Sequence, residues 1–315
     1  PEGFNTEPEP GTGDILQYPR GDRRYPPSAR MPKGGFYFDS IIRQKPIDEA
    51  ALRVEDNLEE FGPLSDEALN YFRAEAARLR ETTDCAVMIL GPGTAFGDIA
   101  HVPATGLPDP KGIRDIAEWY MSLITRREFI REVFARQADI AIANLERLWQ
   151  DVGDRADIIY MSGTDFGTQN GPFCSPKDYC DLFQPHQRKL NDWVHRHTTW
   201  KTFQHCCGGV EPLIEHFIDA GYDILNPVQT SARGMDMRLL KEKYGSRITF
   251  WGGGIDTQHT LPFGTPDEVR REVLERVKVF APGGGFVFNT IHNIQADVPA
   301  SNVIALFDAV RESGL

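Results

Sequence analysis

A histidine and a cysteine two residues apart, His205 and Cys207, close the apolar run that begins at Trp200. Alternate residues of an extended strand point to one side, so both side chains can face the same ion. Imidazole together with thiolate is a ligand pairing that suits zinc. A catalytic zinc takes about three protein ligands and keeps a position open. His292, at a later strand end, is the candidate third ligand. Cys206 and Cys207 are set aside as a redox pair, because adjacent cysteines rarely form an unstrained disulfide.

The same phase of the pattern recurs along the chain. After DIIYM come Asp165 and Gln169; after DIL come Asn226 and Gln229; after ITFW come Gly253, Asp256 and Gln258; after GFVF comes Asn289. Polar residues populate loops in general, so one such cluster carries nothing. Their repetition at successive strand ends marks one shared site. Asp165, Gln169 and Asn226 are the candidate catalytic groups, and Gln229, Gly253, Asp256, Gln258 and Asn289 the candidate substrate contacts. The run Gly252–Gly254 allows close approach to the backbone but lacks the GxxxxGK[ST] pattern of a phosphate loop. Cys174 and Cys180 read as core or surface thiols. His186, His195 and His197 fall on a helical stretch and read as solvated.

Short apolar runs alternating with amphipathic stretches position these groups. Strands are predicted at 85–90, 157–161, 200–204, 223–226, 248–251 and 285–289. Helices are predicted at 65–82, across 112–150 with a break near Thr125, and at 175–197, 210–220, 234–244, 266–280 and 299–312. Ser175–Pro176 and Thr265–Pro266 supply N-cap and first-turn signals. Apolar strands alternating with helices imply a parallel sheet covered on both faces. The implied class is α/β, a (β/α)8 TIM-type barrel, whose site lies at the C-terminal strand ends. Six strands are readable, two fewer than the barrel needs. The chain opens on Pro1 rather than Met, so an N-terminal part is expected to be truncated. Residues 1–35, rich in Pro, Gly and charge, read as an irregular arm, and 36–315 as the barrel domain.

Composition narrows the partners. The 315 residues carry a net charge of −12, which argues against nucleic acid, since phosphate binding needs a basic face. No run of about 18 apolar residues predicts a membrane span, and no signal peptide is read. Five cysteines without small-domain spacing fit reduced thiols and a cytoplasmic location.

At these residues the chain resembles the uroporphyrinogen decarboxylase superfamily, in its branch close to the corrinoid-dependent methyltransferases. The resemblance is carried by DFGTQNGPFCSPKDY (165–179), FQHCCGGVEPLI (203–214), GYDILNPVQTSARGMD (221–236), FWGGGIDTQHTLPFGTPDEVR (250–270) and APGGGFVFNTIHNIQADVPASN (281–302), with YPRGDRRYPPSARMPKGGFYFDSI (18–41) near the start. It implies a barrel with its site in the mouth. Methylcobalamin:coenzyme M methyltransferases of this superfamily bind zinc through a His-x-Cys pair and a later Cys. His205 and Cys207 match the pair, and His292 takes the later position when Pro299 and Asn302 are aligned, a departure that replaces Cys by His. The resemblance implies zinc-dependent methyl transfer between a corrinoid (cobalamin-binding) protein and a small-molecule donor or acceptor, a thiol or a methyl ether. The cobalamin is supplied by that partner, and a homodimer is common in the superfamily. The alternative is cofactor-independent decarboxylation, which needs cations such as Arg233 or Arg247 around the substrate's carboxylates. Asp98, in FGDIAHVP, resembles a decarboxylase aspartate loop. A non-catalytic binding barrel is the third reading.

Overall fold

A computed structural model describes residues 6–315. The first residues of the predicted arm, 1–5, lie outside the described residues. The chain runs through four short strands, β1 (Thr6–Pro8), β2 (Ile15–Gln17), β3 (Ala29–Met31) and β4 (Asp39–Ser40). Helix α1 (Asp66–Thr82), strand β5 (Met88–Leu90) and helices α2 (Ile116–Thr125) and α3 (Arg127–Val152) follow. Next come β6 (Ile158–Ser162), the hairpin strands β7 (Gly167–Thr168) and β8 (Gly171–Pro172), α4 (Pro176–Leu182) and α5 (Gln184–His197). The remainder alternates: β9 (Lys201–His205), α6 (Glu211–Asp219), β10 (Ile224–Asn226), α7 (Met237–Tyr244), β11 (Thr249–Trp251), α8 (Thr260–Phe263), α9 (Pro266–Phe280), β12 (Phe286–Val287) and α10 (Ala300–Ser313). Two compact units result, residues up to 63 with 97–140, and residues 64–96 with 141–315.

In the first unit, β1 to β4 form an antiparallel sheet in sequence order. The expected irregular arm thus carries three short strands, β1 to β3, joined by loops. Gly11 and Gly13 take positive φ in the loop between β1 and β2, a conformation that costs glycine little. Arg30 on β3 then bridges Glu9 and Asp14 across that loop. Elsewhere in this unit Arg114 is 1% exposed. Its guanidinium pairs with Glu60 and donates to the carbonyl of Asp56, so the buried charge is matched.

The second unit is built on a six-stranded sheet in the order β12-β11-β10-β9-β6-β5, every pair parallel. Setting the β7–β8 hairpin aside, spatial order equals sequence order. A doubly wound sheet reverses direction at a switch point; winding one way only is the arrangement of a barrel wall. Each predicted strand is present; five begin one residue later than expected, and β5 begins three residues later. The predicted helix caps also form: Ser175 accepts from the Asp178 N–H, and Thr265 and Glu268 complete a capping box. The single helix expected over 175–197 is instead two, α4 and α5. Pro185 lies in the first turn of α5, and a proline there cannot donate to the turn behind it.

Side chains of this sheet pack on two faces. On one, Ile158, Phe203 and Ile224 form a buried cluster, with Met88, Tyr160 and Trp251 packed against it. On the helical side, Val269, Val273 and Val277 recur at one-turn spacing along α9 and meet Leu306 and Ala309 of α10. Each such aliphatic side chain contributes about 1.5–3 kcal/mol by leaving water.

Candidate metal centre

β9 ends at His205, the last of its strand residues, in register with Asn226 at the end of β10. That register sets the imidazole. The Asn226 amide nitrogen donates to the Trp251 carbonyl at 2.8 Å, so its oxygen is the atom that faces the ring. It lies 2.6 Å from His205 Nδ1. The ring proton is therefore placed on Nδ1, and Nε2 presents its lone pair to the opposite side. This is the outer-shell arrangement that orients histidine ligands in metal sites.

On that side Cys207 Sγ is 3.3 Å from Nε2, and Asp165 Oδ1 is 3.8 Å from it. Ligand atoms of Asp165, His205 and Cys207 all lie within 4.8 Å of one another. Tetrahedral zinc with the usual bond lengths has ligand–ligand edges of about 3.3–3.6 Å, so the donor set and its spacing fit such an ion. Asp165 is held by the Cys207 N–H, which donates to it at 2.6 Å. The Cys207 thiol is pushed up to about 12, first by burial and then by the neighbouring Asp165 charge. A divalent cation reverses both effects by stabilising the thiolate.

Close backbone approach fixes the ligand loop. Gly208 has φ +87°, and a Cβ there would meet the Gly167 backbone at 2.4 Å. A Cβ on Gly167 would meet the Cys207 carbonyl at 2.3 Å. Only glycines allow the β7–β8 hairpin to lie against the Cys207–Gly208 turn. Gly209 then donates to the Thr168 carbonyl at 2.8 Å.

The residues expected at the mouth fall into distinct groups. Gln229 is 6% exposed, accepts from the Gly208 N–H at 2.9 Å and donates to Gln169 at 3.0 Å, so its amide supports the ligand loop. Gly253 is buried at φ +69° and donates to the Pro227 carbonyl. Asp256 accepts from the backbone N–H groups of Gln258 and His259, which ties down its own loop. Gln258 and Asn289 are exposed, and the Asn289 carbonyl accepts from Gly254. Cys206 is buried and its sulfur accepts from the Phe166 N–H, outside the ligand group.

His292 also stands outside that group. Its neighbour Ile291 is buried and bonded to the Ile255 carbonyl, while the His292 side is exposed. The side chain grouped with His205 and Cys207 is Asp165, which the sequence reading placed among the candidate catalytic groups. Sequence alone offers no signal for this, since the contact joins residues 42 apart. His195 is exposed, as expected, and is bonded to Asp223 at 2.8 Å.

A singly wound parallel sheet with convergent donors at its C-terminal strand ends defines an α/β-barrel enzyme with a mouth-facing centre. Comparison with known proteins agrees. Residues 35–313 match the uroporphyrinogen decarboxylase (URO-D) family, and the chain belongs to it. The uroporphyrinogen decarboxylase of Prochlorococcus marinus is 24% identical over 281 residues, covering 89% of this chain and 74% of that one. That of Parasynechococcus marenigrum is 26% identical over 278 residues, covering 88% and 73%. Among solved structures, a methyltransferase from Methanosarcina mazei superposes with TM-score 0.57 at 17% identity, over 89% of this chain and 72% of that one. At that identity the likeness establishes the TIM-type fold. Among the described residues, no helix is long and apolar enough to cross a membrane.

Proposed function

We propose that the protein is a zinc-dependent methyltransferase that moves a methyl group between a corrinoid protein and a small thiol or methyl ether. The observation that carries this reading is the convergence of Asp165, His205 and Cys207, with Asn226 directing Nε2 inward. The His-x-Cys pair is the one the resemblance to methylcobalamin:coenzyme M methyltransferases rests on, and the similar fold of the Methanosarcina methyltransferase supports it. Asp165, His205 and Cys207 hold the ion. Bound zinc supplies Lewis acidity, which lowers a thiol's pKa or polarises a methyl ether oxygen. Asn226 keeps the imidazole in its ligating tautomer. Gln229 and Gln169 hold the Cys207–Gly208 turn in place. The cobalamin enters on a partner that docks over the mouth.

The names of the relatives favour a second reading, decarboxylation of a polycarboxylate without a cofactor. Of the two arginines suggested for it, Arg247 does not support it. Arg247 is exposed, lies before β11 at the far end of the strands, and is paired with Glu215 at 2.5 Å. Arg233 is exposed in the loop after β10.

Metal analysis and cobalamin spectroscopy separate the two. The expected result is about one zinc per chain and a spectral change of a methylated corrinoid protein when the acceptor is added. A metal-free protein that turns over uroporphyrinogen at full rate sinks the methyltransferase reading.

A further inference from the structure

Behind the ligand strand the sheet carries a buried cluster of amides. Strand alternation turns Gln204 to the face opposite Phe203 and His205, toward the helices. Gln187 and Asn191 lie one turn apart on α5, which packs on β9. All three amides are 1% exposed or less. Other buried side chains link them. Ser162 is in register with Gln204, and the Tyr222 hydroxyl adjoins both Ser162 and Asn191. Ser162 is bonded to the Thr164 hydroxyl and N–H, and the Thr164 carbonyl accepts from Gln204 Nε2 at 3.4 Å.

Neighbouring carbonyls fix the amide orientations. Asn191 Nδ2 donates to the Ala220 carbonyl at 2.8 Å. Gln204 Nε2 donates to the His205 carbonyl at 2.8 Å as well as to Thr164. A carbonyl can only accept, so in both amides the nitrogen takes that side and the oxygen is turned away. Tyr179 donates to Gln187 Oε1, which leaves Gln187 Nε2 as a donor. Three buried atoms of the cluster then have no partner within the protein: Gln187 Nε2, Asn191 Oδ1 and Gln204 Oε1. A buried polar atom left in that state is costly. One donor with two acceptors is the complement of a single water, which can donate twice and accept. A cation would meet the Gln187 N–H group, and an anion would meet two amide oxygens.

We propose that Gln187, Asn191 and Gln204 form a binding site for one resident water, which ties α5 to the end of β9 that carries His205. The water donates to Asn191 Oδ1 and Gln204 Oε1 and accepts from Gln187 Nε2. The site lies on the helical side of the sheet and does not depend on a metal at the other face.

A crystal structure at a resolution that shows ordered solvent tests this on the wild-type chain. One water is expected within about 2.7–3.2 Å of all three atoms. Empty density between the amides, or amides that bond one another directly, overturns the proposal. A peak at about 2.3–2.6 Å from its neighbours would be a cation and overturns it as well. Urea unfolding of Gln187→Leu, Gln204→Leu and the double variant gives a second measure. Gln187 Nε2 and Gln204 Oε1 do not bond each other, so a shared water should couple them. The double variant's folding equilibrium constant is expected to differ by about five- to tenfold from the product of the single effects. Effects that multiply to within about twofold overturn the bridge. Should a variant fail to fold, the wild-type density decides alone.

Discussion

At the N-terminal ends of the parallel strands, aspartates serve the sheet. Asp157 stands one residue before β6 and accepts from the Val87 N–H at 2.8 Å, with Arg80 paired to it at 2.6 Å. Asp223 stands one residue before β10, accepts from the Thr202 N–H at 2.8 Å and is bonded to His195 at 2.8 Å. Burial pulls both carboxyls up. Even so, Val87 and Arg80 hold Asp157 below its ordinary value, and His195 and Thr202 do the same for Asp223. At the opposite ends, Asp165 has the same residue type and a different setting. It lies beside a thiol that its own charge helps to keep protonated. The lower aspartates have their cations built into the chain, whereas Asp165, His205 and Cys207 form a donor set whose spacing could take a divalent cation. Perturbed groups that converge in this way mark a site, while paired ones mark a scaffold.

Substitutions at the upper end should therefore strip metal and leave the fold intact. Cys207→Ser has the largest expected effect, a loss of zinc affinity of about a thousandfold, because an anionic sulfur ligand disappears. Competition with a chromophoric chelator measures it, and an affinity within about twofold of wild type contradicts the assignment. Asp165→Ala should follow, at about a hundredfold, whereas His292→Ala should change affinity less than about twofold. The reverse ranking of these two would restore His292 as the third ligand. Asn226→Ala removes the support of the imidazole rather than a ligand, and about tenfold is expected. Unaltered metal binding in that variant would mean that the amide does not set the tautomer.

Much of this frame was legible in the chain because its strand boundaries are chemical. Asp157 and Asp223 precede apolar runs, and Asn226 and the 252–254 glycines follow them, so six strands are readable one by one. His205 and Cys207 are readable as a pair, because alternation is local. The third member of the donor group is not. Asp165 reaches Cys207 through the pairing of β6 with β9, and that register shifts between Tyr160 and Ser162. A bulge re-aims whatever follows it, and no spacing in the sequence records it. The buried amide cluster is hidden likewise, since Gln187 and Asn191 come from α5 and Gln204 from β9. The N-terminal sheet was obscured by composition. Prolines and glycines between β1 and β4 signal turns, and strands of two or three residues are too short to show alternation. Pro185 stands in plain view, yet the single helix expected over 175–197 runs across it.

The smallest effect belongs to the lower end, and it should be one of stability alone. Asp223→Asn keeps the shape and removes the charge that Thr202 and His195 address. A hydrogen bond to a charged group is worth about 1.5–3 kcal/mol, and the retained amide oxygen recovers part of it, so a loss of about 1 kcal/mol is expected at neutral pH. Because the folded carboxyl titrates below its ordinary range, its stabilisation is complete above about pH 4 and is lost as pH falls through the depressed native value. Urea unfolding of wild type and variant should thus differ at neutral pH and converge in acid, with zinc affinity unchanged throughout. A gap that persists in acid would mean that the carboxylate's charge contributes nothing to the clamp. A variant that loses zinc would erase the division between the two ends of the sheet.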